Sequence, residues 1–258
     1  MRSILLATIA GILLSTLNSF AQAKKPVSAP KRPKSAVAAP RGYNFRVQIN
    51  ADKSMRLEVL TGYEYTNVSN RLLAQALSEY LSLQSGPPGR KPVGPRVLVH
   101  PDASLDFKTI VAVLQTARAS DPAEVILVTP EGLLLKIPPE PKLENNVDVK
   151  PNPLTLIANL DNGGNITLNN EESGTLSDPA KLIEKLRDIF HQREQNGVFR
   201  EGANEIEKTV FIKIPLSAQF TDLINLAKAL DDAGADSLGL QIDDLAPSVD
   251  SRKKILTN

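Results

Sequence analysis

Two groups of side chains in this sequence have the residue types that chemistry requires. The first is His100-Pro101-Asp102 with nearby Asp106, because imidazole and carboxylate are ligands that divalent metals accept. Paired carboxylates can also act as general acid and base when their surroundings separate their pKa values. Such carboxylates form the second group, near the C-terminus: Asp231, Asp232, Asp236, Asp243 and Asp244. The sequence therefore offers one candidate metal cluster and one candidate acid-base cluster.

Neither group has the partners that its chemistry needs. Asp102 and Asp106 occupy the positions of a loop residue and a helix cap after a strand, and the only other histidine is the distant His191. The aspartates near the C-terminus flank a helix end and a strand end, with no base, nucleophile or oxyanion donor recognisable beside them. We therefore predict no catalytic residue, no metal site and no cofactor.

Composition excludes further classes of function. The chain of 258 residues has no cysteine, which excludes disulfides, thiolate zinc sites, iron–sulfur clusters and cysteine nucleophiles. Its 30 basic and 29 acidic residues, with 4% aromatic residues, give neither the charge nor the stacking surface of a nucleic-acid-binding protein. Glycine-rich phosphate loops and the HExxH and GxSxG motifs do not occur. We predict a protein that is not an enzyme and does not bind nucleic acid.

The N-terminus has the pattern of an export signal. A positive start at Met1-Arg2 precedes an apolar run from Ile4 to Leu14, and Ala21-Gln22-Ala23 supplies the small residues of a cleavage site. Residues 1–23 are thus predicted to be a signal peptide that directs the protein to the periplasm. The alternative is an inner-membrane anchor formed by residues 4–21, although several polar residues make that span a poor one. Residues 24–41, rich in proline and lysine, are predicted to be an extended tether.

The rest of the chain repeats one order of elements. Each half begins with a predicted hairpin, at 44–60 and 154–169, and the turn Asp161-Asn162-Gly163-Gly164 is the strongest hairpin signal. An amphipathic helix follows, with stripes of apolar residues at helical spacing. These stripes are Leu72, Leu73, Ala76, Leu77, Tyr80 and Leu81, and then Leu182, Ile183, Leu186, Ile189 and Phe190. Residues 96–129 then align without a gap on 209–242, each reading strand, helix, strand.

This repeat predicts an α+β protein of two small β-β-α-β-α-β domains, with helices packed on one face of a sheet. The first domain spans 42–137 and the second 153–245, joined by a proline-rich linker at 138–152 and followed by a tail at 246–258. Residues 133–137 are predicted to be a short edge strand. Predicted helix caps are Asn70, Asp106 and Ser217 or Thr221, and Gly234 suits the positive φ of a helix end.

The segment VFIKIPLSAQFTDLINLAKALDDAGADSLGLQI (residues 210–242) resembles the closing strand-helix-strand of the periplasmic domain in the ExbD/TolR family. Ala233-Gly234 and the strand residues 237–240 match that family's helix end and last strand. Residues 96–129 resemble the same motif, with Asp102 where the family often has an aspartate. The second copy has Pro215 at that place.

The resemblance implies a role in proton-gradient-driven biopolymer transport. Family members pair with a proton channel of the ExbB/TolQ type and act on a TonB/TolA-type protein. That role uses an aspartate in a membrane helix, whereas this chain has no acidic residue before Asp52. We therefore expect a periplasmic, non-catalytic accessory that works by protein–protein docking. The alternative is a stand-alone periplasmic scaffold or peptidoglycan-binding module with no transport role.

Docking of such a protein is expected to use strand addition at a sheet edge. The two copies could form a pair within one chain, and homo-oligomers are a further expectation. The terminal strands of each copy, at 124–129 and 237–242, are the predicted docking edges.

Overall fold

A computed structural model describes residues 43–60, 62–83, 95–139 and 154–242. The predicted signal peptide, tether and tail, and residues 140–152 of the predicted linker, lie outside these ranges. All described residues belong to one compact unit. In this part of the chain no helix is long and apolar enough to cross a membrane.

The described residues form a mixed α+β fold in which one order of elements occurs twice. The first segment contains β1 (Phe45–Ile49), β2 (Met55–Val59), β3 (Glu64–Thr66), α1 (Asn70–Leu83), β4 (Arg96–Pro101), α2 (Phe107–Arg118), β5 (Glu124–Val128) and β6 (Leu134–Ile137). The second contains β7 (Leu156–Leu160), β8 (Asn165–Leu168), β9 (Glu171–Thr175), α3 (Ala180–Gln195), β10 (Thr209–Lys213), α4 (Phe220–Asp232) and β11 (Ser237–Leu240). Every helix expected from the repeat is confirmed.

The eleven described strands lie in one sheet, in the order β3-β2-β1-β4-β5-β6-β11-β10-β7-β8-β9. From one end of the sheet the first segment contributes β3, β2, β1, β4 and β5. From the other end the second segment contributes the equivalent strands β9, β8, β7, β10 and β11 in the same order. Only β6 has no counterpart among the described strands, and it pairs antiparallel with β5 and parallel with β11. The two segments therefore share a continuous sheet, and the predicted domain boundaries stay a prediction.

Three expectations about the strands were wrong or incomplete. The strand predicted at 133–137 exists as β6, but it lies at the centre of the sheet and not at an edge. The predicted docking edges, β5 and β11, are also internal, because each pairs with a strand on both sides. The outermost strands are β3 and β9, which the sequence did not indicate.

The two segments also meet at the starts of α2 and α4. Asp106 and Gln219, which lie 113 positions apart, form an isolated antiparallel bridge. The Phe107 N–H donates to the Ala218 carbonyl at 3.4 Å, and the Phe220 N–H donates to the Leu105 carbonyl at 3.3 Å. The same offset of 113 relates Phe107 to Phe220 and Leu105 to Ala218. Equivalent residues of the repeat thus face each other across a local two-fold axis.

One hydrophobic core holds this arrangement together. Strand residues alternate, so that Phe45, Val47 and Ile49 of β1 point into the core while Gln48 is exposed. Buried residues from all four helices belong to that same cluster. A smaller cluster of Leu98, Ile126 and Val128 uses the intervening strand positions, with Tyr43 packed against it. The helices therefore cover the face of the sheet that carries the larger core.

The start of α1 differs from the prediction. The Ser69 hydroxyl accepts a hydrogen bond from the Leu72 N–H at 3.2 Å, so Ser69 and not Asn70 supplies the side-chain cap. Leu73 and Leu77 of the predicted stripe are fully buried, whereas Leu72 is 42% exposed. The first turn of the helix therefore presents a leucine to solvent.

The cap predicted for α2 is confirmed, whereas the cap of α4 is not one of the predicted residues. Asp106 caps α2 as predicted, because its carboxylate accepts from the Thr109 N–H at 2.7 Å. At α4 the N-terminal pair is Gln219 and Asp222, whose carboxylate accepts from the Gln219 N–H at 2.9 Å. Ser217 instead donates to Asn162 in the β7–β8 turn at 2.6 Å. Gly234 has φ of 94° just after α4, as its predicted place at a helix end requires.

Candidate docking edge

The candidate metal cluster is not assembled, because its two carboxylates have other partners. The Asp102 carboxylate accepts from the backbone N–H and the hydroxyl of Ser104 at 2.9 and 2.6 Å. Lys53 Nζ donates to the Asp106 carboxylate at 2.7 Å. Hydrogen bonds from Lys53, and then from Thr109, hold the pKa of Asp106 well below its usual range. Both carboxylates therefore serve a turn and a helix cap, and no group of three or more His, Cys, Asp and Glu in the described ranges could hold a metal ion.

His100 has a different environment. It pairs with Gln48 across β4 and β1, and its Nε2 is buried without a hydrogen-bond partner. Burial, and then the positive charge of Arg46, lower the pKa of His100 to about 4. Arg46 is itself occupied, because it contacts Glu58 at 3.2 Å and lies over the Tyr43 ring at 5.0 Å. The imidazole is therefore neutral in the folded protein at neutral pH.

This environment predicts a loss of stability in mild acid. The unfolded chain binds a proton at His100 near pH 6.5, whereas the folded chain binds it only near pH 4. The stability that the neutral imidazole contributes is thus complete above pH 6.5 and is lost as the pH falls toward 4. Discounted for partial solvent access, we expect a loss of about 1–2 kcal/mol over this interval.

The measurement is urea unfolding followed by circular dichroism between pH 7.5 and pH 4. His100→Gln should lose this part of the pH dependence, because glutamine does not titrate. His191→Gln, on the exposed surface of α3, is the matched control and should keep it. Identical pH profiles for the wild type and His100→Gln would contradict the assignment.

The acidic group near the C-terminus is also dispersed. Asp236 forms an ion pair with Arg200 at 2.5 Å, and Arg200 also contacts Glu205 at 3.0 Å. Asp231 and Asp232 lie exposed at the end of α4. Asp243 and Asp244 lie outside the described residues. Asp236 thus links the residue before β11 to the loop that carries Arg200, and Asp231 and Asp232 face solvent. Charged residues at the ends of elements generally have such surroundings.

The ends of the sheet are the surfaces best suited to bind another chain. An outermost strand presents a row of backbone N–H and C=O groups that an extended segment can pair with. Among the described strands the outermost are β3 and β9. They occupy equivalent places in the two segments, yet their surroundings differ.

The β9 edge is protected. Thr175 pairs with Asn165 of β8 and also with Asp178, which follows β9 in the chain and occupies the outer side of Thr175. The β8–β9 register shifts between Asn165 and Thr167, and Gly174 has φ of 105° with no room for a Cβ against the Asp178 carbonyl. Irregular pairing and a chain segment on the outer side of a strand are features that keep an edge from pairing with another chain.

The β3 edge is short, which itself limits pairing, but among its described residues it has no register shift and no bridge on its outer side. It is a regular strand of three residues, paired with β2 from Arg56↔Thr66 to Glu58↔Glu64. Its one charge is neutralised, because Glu64 contacts Arg56 at 2.5 Å. Leu60 and Tyr63, in the turn that leads into β3, are 63% and 64% exposed.

Apolar exposure is concentrated around β3. The described residues include six large hydrophobic side chains that are exposed, and Leu60, Tyr63 and Leu72 are three of them. All three fall within thirteen positions that span β3 and its two flanks. The remaining three are scattered over the chain: Leu134, Leu154 and Phe199. Singly exposed apolar residues are common on protein surfaces, but Leu60 and Tyr63 adjoin an outer strand and are therefore candidate contacts for another chain.

The sequence contains one local signal for this edge that the predicted elements do not include. Leu60 and Tyr63 flank Gly62, which has φ of 91°, so an apolar residue stands on each side of a glycine turn. Read as a hairpin, this pattern would have indicated β3.

Comparisons with models of protein families, with curated proteins and with solved structures found no match to this chain.

Proposed function

We propose that this protein is a non-catalytic docking protein of the periplasm and an accessory of an ExbB–ExbD or Tol-type transport system. It binds an extended segment of a channel subunit or of a TonB/TolA-type protein by strand addition at β3. The family resemblance of residues 96–129 and 210–242 suggests the system. The β3 edge, which has no outer neighbour among the described strands and has exposed Leu60 and Tyr63 beside it, suggests the mode of binding.

The exposed edge is the observation that carries this proposal. Strand addition draws affinity from backbone hydrogen bonds and specificity from side chains beside the edge. Leu60 and Tyr63 would supply that specificity, because their exposed side chains can bury apolar residues of the incoming segment. A neutral edge favours a segment with alternating apolar residues and little charge.

The bridge between Asp106 and Gln219 supports a second part of the proposal. Two copies of one motif, paired within a single chain, have a fixed relative orientation that needs no association step. The protein would then present one open edge and one protected edge. We therefore propose that each chain binds one partner segment and not two.

Photo-crosslinking in the native envelope tests this function. A benzophenone amino acid replaces Tyr63 in the full chain, and the crosslinked products are identified by mass spectrometry. We expect adducts with an ExbB/TolQ-type or TonB/TolA-type protein. Thr66→Pro should abolish them, because it removes a backbone donor on the outer side of β3.

The matched control places the same amino acid at Glu172 on the protected β9 edge. It should give no such adduct. Adducts of equal yield at both positions would show that the edge does not select the partner. A crosslinked product that contains only peptidoglycan would favour the scaffold alternative, and the transport role would be dropped.

A further inference from the structure

The direction of the backbone groups on β3 follows from its pairing with β2. The Val59 N–H donates to the Tyr63 carbonyl at 2.8 Å, which makes Val59 and Tyr63 a hydrogen-bonded pair. Antiparallel pairs alternate along the strands, so Leu57 and Tyr65 form the next such pair. The N–H and C=O groups of Glu64 and Thr66 therefore point away from β2. These four groups are what β3 offers to another strand.

Only one two-fold register makes full use of them. If Tyr65 faces Tyr65 of a second copy, Glu64 lies opposite Thr66 of that copy, and Thr66 lies opposite its Glu64. Both residues with outward-facing groups are then paired, and four backbone hydrogen bonds form. A register that sets Glu64 against Glu64 opposes like charges, which is destabilising. The edge is therefore self-complementary in hydrogen bonding, and this register does not set Glu64 directly opposite Glu64.

The apolar side chains beside β3 have the same symmetry. In the register centred on Tyr65, Tyr63 lies opposite Asn67 of the second copy, close to the first turn of its α1. That turn presents Leu72, which is 42% exposed. The two-fold repeats this contact on the other side, so each copy covers apolar surface of the other. The protected β9 edge offers no equivalent.

We propose that the unbound protein is a dimer in which β3 pairs antiparallel with β3 of a second copy, in the register centred on Tyr65. The sheet then runs on through both chains. The dimer does not depend on the proposed function. Only one consequence rests on it: if a transport partner binds the same edge, partner binding and dimerisation exclude each other.

Disulfide trapping of the full chain tests the register directly, because the sequence contains no cysteine. Tyr65 and its symmetry mate form a non-hydrogen-bonded pair, with Cα atoms about 4.5 Å apart, within the range that a disulfide accepts. We expect Tyr65→Cys to form a covalent dimer on mild oxidation. Glu172→Cys, on β9, is the matched control and should stay monomeric on a non-reducing gel.

A second pair of variants covers the case in which Tyr65→Cys misfolds. Glu64→Cys and Thr66→Cys, mixed before oxidation, should form a mixed disulfide in higher yield than either variant alone. By light scattering, the wild type should have twice the mass of one chain and Thr66→Pro the mass of one chain. Circular dichroism verifies that each variant keeps the fold.

Two results would overturn the dimer. One is a wild type with the mass of a single chain at every concentration tested. The other is a dimer in which neither Tyr65→Cys nor the mixed pair crosslinks, or in which Glu172→Cys crosslinks equally well. A monomer that still gives transport-partner adducts at Tyr63 would leave the proposed function standing without the dimer. A dimer without such adducts would leave only the dimer.

Discussion

Replacing Phe220 by alanine is expected to lower the free energy of unfolding by about 3–5 kcal/mol. The ring is fully buried, at the start of α4 where the two segments meet. Its removal takes apolar area out of the core and leaves a cavity that the rigid sheet and helices cannot close. Chemical unfolding followed by circular dichroism measures the change.

Phe199→Ala is the matched control for this loss, because Phe199 is 56% exposed. Its effect should stay within about 0.5 kcal/mol. Phe220 belongs to a core shared by both segments, so we expect one cooperative unfolding transition in every variant. Two separate transitions, with only one of them moved by Phe220→Ala, would mean that the segments are stable independently.

Proline at Leu240 is expected to unfold the protein or to destabilise it by at least about 3 kcal/mol. Leu240 is fully buried in β11, and its strand lies between β6 and β10. Proline there removes a buried side chain and a backbone donor inside the sheet, where proline is not tolerated. Loss of the circular dichroism signal, or of soluble protein, is the measurement.

Thr66→Pro is the matched control, because it places proline on an edge strand with the N–H on the outer side. It should keep the fold and lose only association at β3. If Leu240→Pro were as stable as the wild type, β11 could not be an internal strand. The comparison therefore separates a folding defect from a docking defect.

Local patterns predicted the elements with long apolar repeats. The helices at 107–118 and 220–232 follow from apolar residues at helical spacing, because the period that buries one face of a helix is visible in the sequence alone. The Asp106 cap and the turn at Gly163-Gly164 follow from side chains that bond to their own neighbours. These features depend on residues close in the chain.

Short polar strands could not be predicted in this way. The residues Glu-Tyr-Thr of β3 and Glu-Glu-Ser-Gly-Thr of β9 show no apolar alternation, and both become strands because β2 and β8 supply partners for their backbones. Gly239 is a weak strand former that sits in β11 beneath the Phe211 ring, leaving no room for a Cβ. Tertiary context decided the two polar strands, and in β11, which the sequence did predict, it explains the glycine.

The sequence by itself thus determined the helices, the main strands and the repeat, since these rest on local periodicity and side-chain bonding. Tertiary structure decided the order of the strands. Pairing between distant strands placed β6 between β5 and β11, which buried the edges expected at 124–129 and 237–242. The same pairing left β3 at the outside. A sheet edge is defined by the absence of a neighbour, and strand neighbours are set by contacts between residues far apart in the chain, so the candidate docking edge could be identified only from the folded protein.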